Sequence, residues 1–172
     1  MSEIVLDASA LIAMLKGEKG ADKVAAAIAG ARICTINYAE VVTHFIHLSM
    51  PEREVDAMLD PLPMTIVPTD KALAQMAGRL RAVTAGHGLS LGDRFCLALA
   101  QRDGLPAWTS DQSWKAVADA VKTKVVAIRG FPEAGAGRLP SHWCCAATIL
   151  PGSFSGFLAE SRNSESDLVV VV

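Results

Sequence analysis

Short apolar runs alternate with longer stretches whose apolar residues recur every three or four positions. The runs at residues 4–6, 32–35, 65–67, 107–109 and 125–128 are brief and apolar or β-branched. That texture predicts strands buried on both faces of a parallel sheet. Helical patterns lie between them. A helix is expected directly after Asp7, and an Ala-rich one over 21–29 stops at Gly30. A third spans 38 to about 48, followed by one over 52–59 that begins after Pro51. Leu73, Met76, Ala77 and Leu80 place a helix over 71–83, and Phe95, Leu99 and Arg102 share a face of another over 92–103. Strands alternating with helices through short links imply an α/β fold with a parallel sheet.

Beyond Gly130 the pattern fades. Thirteen of the 42 positions in 131–172 are Gly, Pro or Ser, and the terminal valines lack a neighbouring partner segment. The expected organisation is therefore one domain over 1–130 and a loosely ordered C-terminal extension over 131–172. An extra strand there is the alternative, kept open by Ile149-Leu150 and the valine run.

Composition narrows the class. The chain has 172 residues, 51% of them hydrophobic, which excludes a wholly disordered protein. Cys34 and Cys96 sit in apolar runs, and adjacent Cys144-Cys145 lacks zinc-ligand spacing. Reduced, buried thiols are the expectation, in a cytoplasmic protein without a leader or membrane segment. A formal charge of −2 argues against binding nucleic acid by bulk positive charge.

The acids change that picture. Ligands of open parallel α/β folds gather at the C-terminal ends of strands. Asp7 follows the first strand and Asp111 the fourth; taken alone, each reads first as the cap of the helix that begins after it. Asn37-Tyr38-Ala39-Glu40 and Ser90-Leu91-Gly92-Asp93 both read as loose capping boxes opening helices. Those helices leave the same edge of the sheet, so the four acids from four segments can converge in one cleft. Two carboxylates about 4 Å apart repel by roughly 4 kcal/mol at an effective dielectric near 20. A divalent cation removes that penalty, and oxygen-only ligation suits Mg²⁺ or Mn²⁺. Glu40, His44 and His47 also share one helical face, a competing transition-metal face or simply a polar one.

Four segments carry a family resemblance. They are Ile4-Val5-Leu6-Asp7-Ala8-Ser9-Ala10-Leu11, Asn37-Tyr38-Ala39-Glu40-Val41, the run from Leu89 to Ala98, and Thr109-Ser110-Asp111-Gln112-Ser113-Trp114. In order and spacing the first 130 residues resemble the PIN-domain family, specifically VapC-type toxins of toxin–antitoxin pairs. The resemblance implies a three-layer α/β fold with a central parallel sheet flanked by helices. It also implies a metal-dependent endoribonuclease whose acids map onto Asp7, Glu40, Asp93 and Asp111. Asp7 and Asp93 are the expected direct ligands of Mg²⁺ or Mn²⁺. Asp111 completes the set or acts through water, and Glu40 holds a second ion or its water. Ser9 and Thr109 could bond a ligand water or phosphate, or act only as local caps. The implied partners are an RNA substrate, a cognate antitoxin that carries the DNA-binding part, and a second copy in a homodimer. The alternative is a catalytically weak module that works by binding a protein partner. The D-x-D of haloacid-dehalogenase-like phosphatases, the acidic pair of receivers and a Walker-type loop are all missing from the sequence.

Charge then reads differently. The first 130 residues hold 14 basic and 14 acidic side chains. Setting the four candidate acids aside leaves 14 against 10, a modest basic surplus for a polyanion to meet.

Overall fold

The structure, a computed structural model, describes residues 3–130. The expected extension over 131–172, the adjacent Cys144-Cys145 and the terminal valines lie outside the described residues. Five strands form one parallel sheet: β1 (Ile4–Leu6), β2 (Ala31–Cys34), β3 (Thr65–Val67), β4 (Ala107–Thr109) and β5 (Val125–Ala127). Their order is β3-β2-β1-β4-β5, with Ile4 opposite Ala31 on one side and Val5 opposite Ala107 on the other. The first strand is therefore the centre of the sheet. Its three residues are at most 1% exposed, which is why it reads as an unbroken apolar run.

Seven α-helices accompany the sheet among the described residues: α1 (Ala8–Leu15), α2 (Ala21–Ala27), α3 (Thr35–His47), α4 (Glu52–Leu59), α5 (Lys71–Arg79), α6 (Arg81–Thr84) and α7 (Leu91–Asp103). Val5 joins a core built with Leu73, Ala77, Leu97 and Trp114, while alternation turns Ile4 and Leu6 to the opposite face. Residues 95–100 of α7 are all buried, so this helix is apolar on nearly every side rather than amphipathic. Each fully buried Leu or Val side chain contributes about 1.5–3 kcal/mol. None of the helices in the described residues is long and apolar enough to cross a membrane.

Three expected boundaries move. The third helix begins at Thr35, straight off β2, rather than at Tyr38. Thr35 Oγ1 pairs with Thr69 Oγ1 at 2.8 Å, and Asn37 lies inside the first turn instead of capping it. The helix expected over 71–83 is interrupted at Leu80, although Leu80 keeps right-handed helical angles. The Ala-rich helix ends at Ala27, and Ile28–Gly30 tightens into a 3₁₀ turn. Gly20, which precedes α2, has φ +91° and lies against the Ile128 backbone just past β5. A Cβ there would stand 2.7 Å from the Ile128 carbonyl oxygen. Gly20→Ala therefore meets both a backbone and a steric penalty. It should destabilise the protein by about 1–3 kcal/mol, read as a lower urea midpoint at unchanged slope.

Candidate active site

The acids at the strand ends can be placed one by one. Asp7 leaves β1 with its N–H still bonded to the Trp108 carbonyl, so the sheet ladder holds its backbone. Its Oδ2 accepts the Ser9 N–H at 3.2 Å, the Ser9 hydroxyl, and the Thr109 hydroxyl at 3.1 Å. Its Oδ1 accepts the Asn37 amide at 3.3 Å. The cap of α1 and the cleft acid are thus one and the same carboxylate. Ser9 Oγ in turn accepts the Ser110 N–H, and Thr109 Oγ1 accepts the Asp111 N–H. Two hydroxyls thereby tie the end of β1 to the turn after β4.

Asp93 sits in the first turn of α7. The expected capping box is present: Ser90 Oγ accepts the Asp93 N–H at 3.0 Å, and Asp93 Oδ2 accepts the Ser90 N–H at 2.7 Å. Glu40 lies one turn past Asn37 on α3, and its Oε2 accepts the Asn37 amide at 3.2 Å. Asp7, Glu40 and Asp93 line one cleft of about 480 Å³, together with Ala8, Ser9 and Ile12 from the first helix. Thr43, His44 and His47 extend the same wall along α3. Asp111 stands at the same edge of the sheet but outside this lining. Its side chain is exposed and accepts the Ser113 N–H at 2.8 Å, capping the 3₁₀ helix Gln112–Ala116.

Electrostatics shows how closely three of the acids are gathered. Burial pushes the Asp7 carboxyl above the ordinary range, and the Asp93 charge raises it further against the lowering by Ser9 and Thr109. Burial likewise raises Glu40, with Asp7 and Asp93 adding to it. The charges acting on both are other carboxylates. Their field reaches the core, where the fully buried Cys96 thiol is held well above its usual value, first by burial and then by Asp7 and Asp93. His44 is shifted the other way, by burial and then by Lys16, which favours neutral imidazole. Its Nε2 is buried without a partner, and its ring stands edge-on to Phe45 at 5.2 Å.

The sequence reading missed two members of this group. Asn37 is fully buried, and its Nδ2 faces Asp7, Glu40 and the Gly92 carbonyl. Its Oδ1 is buried with no partner, an arrangement that costs about 1–3 kcal/mol. An asparagine inside an apolar helical run was the available signal, masked by its resemblance to a cap. Gly92 lies directly beneath the Glu40 carboxylate.

Among the described residues, no three Asp, Glu, His or Cys side chains are drawn tightly enough to encage an ion. The donor set still fits a hard divalent cation. It offers carboxylate oxygens from three segments, with Asp7 and Glu40 raised by neighbouring carboxylates and, among the described residues, no basic group seen to offset them.

Raised carboxyl values have a definite consequence for the metal-free protein. Above the unfolded carboxyl range, near pH 4, the folded chain holds protons at Asp7 and Glu40 that the unfolded chain has released. Stability is therefore lost as pH rises through the raised folded values. In EDTA, the stability of wild type relative to Asp7→Asn should fall as pH rises above about 4, the unfolded carboxyl range. A pH-independent difference in urea midpoint between the two proteins would contradict the crowding described above.

Comparison with known proteins converges on the same architecture. Residues 4–120 match the family model described as the PIN domain. A VapC ribonuclease of Mycobacterium bovis is 32% identical over 113 residues, covering 60% of this chain and 86% of the relative. Among solved structures, a toxin–antitoxin complex from Klebsiella pneumoniae aligns with a TM-score of 0.56 at 21% identity. DNA-bound VapBC from Salmonella typhimurium aligns at 0.58 and 15% identity. Each alignment covers 73% of this chain and 98% of the other. With a parallel sheet in the order 3-2-1-4-5, acids gathered at its carboxyl edge, and a family match over most of its described length, the chain belongs to the PIN-domain family.

Proposed function

We propose that this chain is an endoribonuclease toxin that hydrolyses RNA phosphodiesters with Mg²⁺ or Mn²⁺ and is neutralised by a cognate antitoxin. The observation that carries the reading is the meeting of Asp7, Glu40 and Asp93 in one cleft, where neighbouring carboxylates raise Asp7 and Glu40 and no basic group among the described residues is seen to offset them. The 32% identity to a protein named as a VapC ribonuclease supports the choice of RNA as substrate and of an antitoxin as partner.

Asp7 and Asp93 would hold the cation, Glu40 flanks them, and Asp111 acts from the rim of the cleft. The cation, when bound, supplies an activated water and neutralises charge that develops on the phosphoryl oxygens. The protein's own contribution is orientation. Ser9 and Thr109 fix Asp7 through Oδ2 and offset part of the cost that burial places on its charged form. Asp93 is fixed through Oδ2 by the Ser90 N–H, which leaves its other oxygen for a ligand. Ala8, Ile12 and Thr43 wall the cleft, giving an RNA strand an uncharged flank beside the carboxylates. On this reading residues 1–130 are the nuclease domain, acting in the cytoplasm, and residues 131–172 are an appended extension. DNA is reached only through the antitoxin, and a second copy completes a homodimer.

Cleavage of structured RNAs by the purified protein should require Mg²⁺ or Mn²⁺ and stop in EDTA. Asp93→Asn should lower the rate by at least about 100-fold while leaving circular dichroism unchanged, since losing a direct ligand exceeds the 10–100-fold cost of an outer partner. Asp111→Asn should have a smaller effect, because its side chain stands outside the cleft. Toxicity on expression that survives Asp7→Asn would instead favour action by binding a protein partner.

A further inference from the structure

Glu40 differs from the other cleft acids in how it is held. Asp7 and Asp93 each accept a backbone N–H and double as helix caps. Glu40 lies in the second turn of α3, and a flexible side chain repelled by Asp7 and Asp93 would turn toward solvent unless something retained it. Two features retain it. The two N–H groups of the Asn37 amide are shared among three acceptors, Glu40 Oε2 at 3.2 Å, Asp7 Oδ1 at 3.3 Å and the Gly92 carbonyl at 3.2 Å. On the other side the carboxylate rests on Gly92, where an added Cβ would lie 2.2 Å from Oε1 and 2.6 Å from Cδ.

Neither residue is explained by its own helix. Gly92 has no left-handed backbone, and in a helix a glycine is a poorer choice than alanine. Asn37 leaves its own Oδ1 buried and unpartnered, whereas the opposite amide orientation would set that oxygen against two carboxylates and a carbonyl. Both anomalies disappear if the position of Glu40 is what they serve.

We propose that Gly92 and Asn37 are the positioning residues of Glu40: the missing side chain opens the space its carboxylate fills, and the amide ties it between Asp7 and the α7 backbone. The inference rests on the reading of this cleft as a divalent-cation site. It adds that the third acid is placed by two uncharged residues on separate helices.

A double-mutant cycle on the full chain separates this from a general structural role. Mn²⁺ is the probe, titrated by calorimetry and followed by its electron paramagnetic resonance, with urea unfolding measured in EDTA. Gly92→Ala should weaken Mn²⁺ binding about 10- to 100-fold and change the Mn²⁺ spectrum, while the protein remains folded. Because the obstructed atoms are the end of a flexible side chain, the fold survives by moving Glu40 aside. In a Glu40→Ala background the same substitution should alter Mn²⁺ affinity by less than about twofold. Asn37→Leu, close to asparagine in volume but unable to donate, should also weaken Mn²⁺ binding in the native background. In EDTA, the effect of Gly92→Ala on the urea midpoint should differ between the two backgrounds. Equal losses of Mn²⁺ affinity in both backgrounds, or equal midpoint shifts, would overturn the proposal. Should wild type bind no Mn²⁺, the cation reading fails, and the positional claim stands or falls on the midpoint coupling alone.

Discussion

A carboxylate at the end of the most buried strand is the constraint around which this domain is arranged. Asp7 follows three residues that are at most 1% exposed and is itself 4% exposed. Burying a charge there is tolerable only when its lone pairs are filled. Each surrounding element contributes to that: α1 its second residue, β4 a threonine, and α3 an asparagine. The links are mutual. Satisfying Asp7 fixes the turn after β4 through Ser9 and Thr109, and fixes α3 against α7 through Asn37. Packing the sheet and assembling the cleft are therefore a single event.

Most of this arrangement was legible in the chain, for identifiable reasons. Strands buried on both faces must be short and apolar, so all five could be found from composition, to within a residue or two at their ends. The Ser90–Asp93 box was visible because capping is a local matter of spacing. The start of α3 was not, because Asn37 offers the chemistry of a cap while its partners lie 30 and 55 positions away in sequence. Gly92 was equally opaque. Its role is defined by the space another helix's side chain occupies, and no pattern within α7 encodes that. Asp111 shows the opposite case: its place at the sheet edge and its capping of the next helix were both open to reading from the chain, and its side chain takes the cap outside the cleft lining.

The charges repay a similar comparison. An overall balance of −2 conceals a domain in which acids are concentrated at one place, and there the fold works against its own stability. Natural domains carry such local conflict where binding is to be strong, because a ligand that relieves it gains the relief as affinity. The buried thiol of Cys96 lies within the same field and stays protonated, so the cleft offers oxygen rather than sulfur to whatever enters it.

Finally, Asp93 occupies the first turn of a helix in which residues 95–100 are all buried. Buried helix interiors open at free energies approaching the global value, whereas helix ends fray at far lower cost. The working lifetime of the cleft is accordingly set by one turn, stapled by the two reciprocal bonds between Ser90 and Asp93. Amide hydrogen exchange along this single helix would run from the fast kinetics of the site to the slow kinetics of the whole fold.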